Sequence, residues 1–265
     1  MGTYLAPVYP GDRGDRPSVA SRTSTAKLRW RRRVSPAAPP TRAPRGPMID
    51  FYGYITTMSW RAGIALEELD LDYRFHSINL GAGEQRSPEH TARNPMQKVP
   101  VLVDHDPPGG GEPITIFESG AILVYLAEKT SKLIPQDPRD RAEFHTWFFW
   151  VLNSYGPALG WPGAMFNTDP RYRLFDQTDY GEATYRLFTN ASVEAHRKLD
   201  ERLEGREFIC GDYSIADIAA IGSTVPLRLH GVADVSRFPN LARWYAGVRR
   251  RPAVERGLAI GAEAR

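Results

Sequence analysis

From Met48 onward the chain alternates between short apolar runs of period two and longer stretches of helical period. Ile49 to Tyr54 reads as a strand, Ile55 to Ser59 as a loop, Trp60 to Leu69 as a helix, and Tyr73 to Asn79 as a second strand. A polar loop leads to Asn94. Lys98-Val99-Pro100-Val101-Leu102-Val103 then reads as a turn feeding a third strand, and Pro107 to Pro113 is a Gly/Pro-rich turn before a fourth, Ile114 to Phe117. Glu118-Ser119-Gly120 turns that strand into an apolar-periodic helix, Ala121 to Ala127. Pro135 and Pro138 mark a linker over residues 130–139. Beyond it, Arg141 to Leu152 places Phe144, Trp147, Phe148 and Val151 on one helical stripe, and Tyr180 to Leu203 is a long amphipathic helix stopped at Glu204-Gly205. Ser214-Ile215-Ala216-Asp217 reads as a capping box: Ser214 accepts from the Asp217 N–H and Asp217 reaches back to the serine N–H.

Composition narrows the classes. With 265 residues and 42% hydrophobic content the chain can build one large or two modest domains. No apolar run is long enough for a transmembrane helix, so no membrane partner is expected. A single cysteine, Cys210, excludes an internal disulfide and fits a reducing, cytoplasmic setting. The net charge of +3 is misleading: residues 1–47 hold ten basic residues against two acids, so that segment carries +8 and the rest −5. This Pro-, Arg-, Ser- and Ala-rich tail lacks hydrophobic periodicity and reads as disordered. A nucleic-acid arm or transit peptide has such a composition. The favoured expectation is a solvated extension or an upstream start, with Met48 opening the folded protein and no nucleic-acid partner. The six histidines show no metal-ligand spacing, so no metal is expected.

The richest chemistry lies between Asn94 and Glu128. An acid and a hydroxyl, Glu118 and Ser119, at a strand-to-helix turn offer a carboxylate, a hydroxyl and free N–H groups at a positive helix end. Such a place holds a small molecule bearing both an ammonium and a carboxylate. Val99-Pro100 after a polar loop, followed by Phe117-Glu118-Ser119-Gly120-Ala121-Ile122, resembles the glutathione-binding half of a glutathione transferase. The details, including Tyr213-Ser214-Ile215-Ala216-Asp217-Ile218-Ala219, are most similar to the nu class, bacterial transferases related to disulfide-bond oxidoreductases.

That resemblance implies a thioredoxin-like α/β domain over 48–129, a linker over 130–139 and an all-α domain over 140–262 for substrate and dimer contacts, in a cytoplasmic homodimer. It implies a cis Val99–Pro100 bond, Val99 contributing backbone to the cysteinyl part of glutathione, and Glu118 with Ser119 holding the γ-glutamyl end. Gln85 and Lys98 match contacts to the glycyl end, and Arg186 matches an arginine that reaches the partner's glutathione. Ser214 and Asp217 are structural on either reading.

Glutathione acts through its thiolate. In Ile55-Thr56-Thr57-Met58-Ser59, three hydroxyls meet the positive end of a helix, where a donated hydrogen bond and the dipole lower a thiol pKa by about one or two units. The resemblance assigns the catalytic contact with sulfur to Thr56; Ser59, Thr57, Tyr52 and Tyr54 stand as alternatives, and Ser59 or Thr57 has the helix N-cap to fill. Where the class carries an assisting asparagine, this chain has Met58. An apolar electrophile or a second glutathione is expected over Trp147, Phe148, Trp150, Tyr155, Trp161, Met165 and Phe166, with Tyr155 to Gly163 breaking the helix. The expected function is glutathione-dependent conjugation or reduction of a peroxide or disulfide. The alternative is a non-catalytic glutathione-binding regulatory or scaffold module.

Overall fold

In the computed structural model, residues 48–160, 182–224 and 237–262 are described below; the basic tail and Trp161, Met165 and Phe166 lie outside them. Strand β1 (Ile49–Gly53) turns Ile49, Phe51 and Gly53 inward, and β2 (Tyr73–Ser77) pairs parallel to it, Phe51 opposite Phe75. Helix α1 (Thr57–Glu68) is the crossover between them. Strands β3 (Val101–Asp104) and β4 (Ile114–Phe117) form an antiparallel hairpin, and β3 runs antiparallel to β1, giving the order β2-β1-β3-β4. Gly109, Gly110 and Gly111 all take positive φ in the hairpin turn, a conformation that side chains resist. Helix α3 (Ser119–Thr130) packs beside α1, which completes the mixed α/β thioredoxin-like arrangement.

The rest is helical: α4 (Pro138–Trp150), α5 (Glu182–Arg202), α6 (Ile215–Thr224), α7 (Pro239–Arg249) and α8 (Pro252–Ala259). Helix α6 is the buried centre, with every residue buried. Asp217 anchors its first turn, accepting from Ile209 N (3.0 Å), Ser214 N (3.1 Å) and Trp244 Nε1 (2.8 Å). The box is therefore half as expected: Asp217 does reach back, but Ser214 Oγ accepts from Ala216 N rather than Asp217 N. Among the described residues, no helix is long and apolar enough to cross a membrane.

Three readings need correction. The polar loop before Asn94 contains a helix, α2 (Pro88–Arg93), which is too short to show a period. Its signal was the Ser87-Pro88 start: Ser87 Oγ accepts from His90 N, and proline suits the first helical position. The linker is shorter than expected, because Asp137 caps α4 directly at Pro138. Nor does the helix break between Tyr155 and residue 160, and the rest of that expected break, to Gly163, lies outside the described residues. One π turn, Val151–Tyr155, carries α4 into a helical stretch that continues through residue 160.

Helices α1 and α8 touch through glycines. A Cβ on Gly257 would lie 2.5 Å from Ile64 Cα, and one on Gly63 would lie 2.7 Å from Ile260 Cδ1. Gly257→Ala should therefore cost about 1–3 kcal/mol in a denaturant melt, since backbone must move. Gly247→Ala is the control. It meets nothing within 4 Å and should be neutral or gain up to about 1 kcal/mol from helix propensity.

Candidate functional site

The N-terminus of α1 faces the turn where β4 enters α3. Thr56 has the extended backbone of an N-cap (φ −134°, ψ 153°), and its Oγ1 accepts from Ser59 N at 3.1 Å. The cap is thus Thr56 and neither Thr57 nor Ser59. Ser59 is buried and turned back, with its Oγ accepting from Tyr54 N (3.2 Å) and from the Thr56 hydroxyl (2.9 Å). Capping uses only a lone pair of Thr56, so its O–H is spent on Ser59 alone and can rotate to another acceptor. Of the strand tyrosines, Tyr52 stacks on His76 at 4.5 Å and also has the Arg93 guanidinium over its ring.

The opposite wall is α3. Glu118 sits at its N-cap with φ 69° and ψ 118°, a conformation that costs a non-glycine residue about 1–3 kcal/mol. Its side chain makes no capping bond and stands in solvent. Ser119, the first helical residue, is buried; its Oγ accepts from Arg61 Nη1 (3.2 Å) and donates to Met58 Sδ (3.5 Å). Met58 therefore links the two walls.

Between these walls runs the loop before β3. The Val99–Pro100 peptide is cis. The Lys98 carbonyl ahead of it accepts from His90 Nε2 (3.0 Å) and Asn94 Nδ2 (2.9 Å), which makes Nε2 the protonated nitrogen of that histidine. Both donors are buried residues of α2 and its C-cap, so the helix unseen in the sequence is what holds this loop. Gln85 lies on the short turn Glu84–Arg86 with its Oε1 buried and unpartnered, while the Lys98 side chain is exposed.

Seven of the eight expected positions, Thr56, Gln85, Lys98, Val99, Pro100, Glu118 and Ser119, lie on the sheet-bearing part of the chain, at α1, α3 and the loops beside them. Arg186 is separate, on an exposed stretch of α5. The expected aromatic pocket comes apart. Phe148 (1% exposed) and Tyr155 (0%) are core residues, whereas Trp147 and Trp150 are half-buried. Tyr155 shares hydrogen bonds with Thr224 Oγ1 and His196 Nδ1, and burial pushes the His196 pKa down to about 4, keeping this network uncharged. Among the described residues, no cluster of His, Cys, Asp and Glu side chains is arranged to hold a metal ion.

Sequence reading missed Arg61. It lies mid-helix in α1, 3% exposed, with Nε donating to Ala219 O (2.9 Å) and Nη2 to Ser223 Oγ (2.7 Å). The signal available was an arginine between Ser59 and Ala62-Gly63-Ile64 on a face that is otherwise small or apolar. Cys210, by contrast, is chemically quiet. Burial and then the Asp217 charge push its thiol up to about 12. In the folded protein at pH 8, iodoacetamide should label it many-fold more slowly than in urea, and Cys210→Ser should leave turnover unchanged.

The chain is similar to known proteins along most of its length. The family described as "Glutathione S-transferase, N-terminal domain" matches residues 48–128. Disulfide-bond oxidoreductase YfcG of Escherichia coli is 36% identical over 215 residues, covering 80% of this chain and 94% of YfcG. YghU of the same organism, also a disulfide-bond oxidoreductase, is 33% identical, covering 80% and 74%. Among solved structures, a glutathione transferase from Burkholderia graminis with two glutathione molecules bound per subunit superposes with a TM-score of 0.74 at 35% identity, covering 81% of this chain and 88% of that one.

Proposed function

The chain belongs to the glutathione transferase family, and from that premise we propose that it is a glutathione-dependent transferase and disulfide oxidoreductase working at the cleft between α1 and α3. The observation that carries the reading is Glu118: a strained backbone holds an exposed, uncapping carboxylate beside a buried serine at a positive helix end. That pair suits the ammonium and carboxylate of a γ-glutamyl group, with the α3 N–H groups completing the carboxylate's bonds. Gln85, with its unsatisfied Oε1, and Lys98 take the glycyl end, and the Val99 backbone beside Pro100 takes the cysteinyl peptide.

With glutathione so held, its sulfur faces the N-terminus of α1. The Thr56 hydroxyl swings from Ser59 to the sulfur and, with the helix dipole, favours the thiolate. Ser59 then donates to Thr56 Oγ1, which leaves no hydroxyl unpaired. The thiolate attacks one sulfur of a disulfide substrate; a new S–S bond forms, the old one breaks, and the other sulfur departs as thiolate. Conjugation uses the same nucleophile on an electrophilic carbon. Two domains, 48–129 and 140–262, divide the work in this reading, and the half-buried Trp147 and Trp150 are the candidates to face the second substrate. A cytoplasmic homodimer is the proposed assembly, with Arg186 reaching the partner's site.

Binding and turnover separate this from the non-catalytic module that Met58 would favour. The expected result is micromolar-to-millimolar glutathione binding by calorimetry, with glutathione-dependent reduction of a mixed disulfide or conjugation of a chlorinated aromatic. Binding with neither activity, insensitive to Thr56→Ala, would sink the enzyme reading.

A further inference from the structure

Arg61 is the one basic residue of α1, and it is buried. Its four donations go to Ser119 Oγ, Met58 Sδ, Ala219 O and Ser223 Oγ, and none goes to a carboxylate among the described residues. Among the described residues, the elements packed on it turn no acid toward it: α3 offers Ser119, α6 offers Ser223 and a carbonyl, and Asp217 of α6 is turned to Ile209, Ser214 and Trp244. Burial lowers the guanidinium pKa to about 10, and it remains protonated at neutral pH. The slot around it is tight. A Cβ on Gly222 would lie 2.7 Å from Arg61 Cγ and 3.1 Å from Thr57 O, and one on Gly156 would lie 3.0 Å from Nη2. Glycines at these places let α6 and the π turn close on the arginine and exclude water.

A buried cation without a counter-ion is costly unless an anion arrives. Both anionic groups proposed to enter the cleft come to its neighbours: the γ-glutamyl carboxylate to Ser119, which Arg61 touches, and the thiolate to the α1 terminus, where Met58 also touches it. We propose that Arg61 is a positioning residue for glutathione, orienting the Ser119 hydroxyl toward the γ-glutamyl carboxylate and supplying the buried positive charge that favours the bound thiolate. Because it is anchored on Ala219 and Ser223, the helical region sets where that charge sits. This rests on the glutathione reading above.

Two measurements on intact protein test it: the pH titration of thiolate ultraviolet absorbance with glutathione bound, and the affinity for S-methylglutathione, which lacks the thiol and so reports on the γ-glutamyl end. Arg61→Met should raise the bound thiol pKa by about one unit, leaving about tenfold less thiolate below it, and weaken S-methylglutathione severalfold. Arg61→Lys keeps the charge but loses the fork; it should titrate like wild type and still bind S-methylglutathione more weakly. A folded Arg61→Met protein with wild-type titration and affinity overturns the proposal. If Arg61→Met does not fold, Arg61→Lys decides: unchanged affinity, or a titration displaced by a full unit, overturns it. Wild-type protein that binds neither ligand refutes the glutathione reading itself, whereas normal wild-type binding with unresponsive variants refutes the role of Arg61 alone.

Discussion

Thr56→Ala should lower glutathione-dependent turnover by about 10²-fold, the usual cost of removing one donor aimed at a developing or bound anion. It should also lower stability by about 1 kcal/mol, because Ser59 N loses its cap. Two further substitutions separate these effects. Thr56→Ser retains acceptor and donor and should restore both properties. Thr56→Asp retains the acceptor but has no proton to donate and places a negative charge beside the sulfur, so it should melt near wild type and turn over no better than alanine. Steady-state kinetics with a mixed disulfide, read beside thermal melts, gives the comparison. Activity in Thr56→Ala within threefold of wild type would move the sulfur contact to Ser59, Thr57 or a backbone N–H.

Removing Asp217 should have the largest effect on stability. Its carboxylate accepts from Ile209 N, Ser214 N and Trp244 Nε1 in a fully buried place. Asp217→Ala strands those three donors without water, and at about 1–3 kcal/mol for each buried unsatisfied group the loss should be about 3–5 kcal/mol once the structure relaxes. Denaturant unfolding measures it; a loss under 1 kcal/mol would show that water reaches the site. The same residue carries a pH signature. Burial raises its pKa to about 6, against the hydrogen bonds that lower it. Since the folded value lies above the unfolded one, near 4, the native state holds the proton more tightly. Its contribution is therefore most favourable below about pH 4 and declines as pH rises through 6. The stability difference between wild type and Asp217→Asn should shrink across that window.

Much of this architecture is written locally. The inward alternation of Ile49 and Phe51, the punctuation at Pro107–Pro113 and the Glu118-Ser119-Gly120 turn each depend on residues a few positions apart, and the backbone's own period carries them into structure. Both walls of the candidate site were legible for that reason, as were the β1-α1-β2 crossover and the Asp217 half of its capping box. What the sequence could not rank was three adjacent hydroxyls: Thr56, Thr57 and Ser59 suit an N-cap equally by residue type, and only the backbone dihedrals and the direction of Ser59 gave that place to Thr56.

Tertiary structure decided the rest, because the deciding partners are far along the chain. Periodicity drew one aromatic stripe on α4, yet what packs on it differs residue by residue, so Phe148 entered the core while Trp147 stayed half-buried. Helix α2 is too short for a period to reveal, and its purpose appears only where His90 and Asn94 meet the Lys98 carbonyl. Arg61 is the sharpest case. Its carbonyl and hydroxyl partners on α6 are 158 and 162 residues away, so its small and apolar neighbours in sequence could hint that it is buried but not what it binds. Local pattern determined which segments would face inward and which would carry polar chemistry; the close approach of α1, α3 and α6 determined that a cation would be sealed beneath that chemistry.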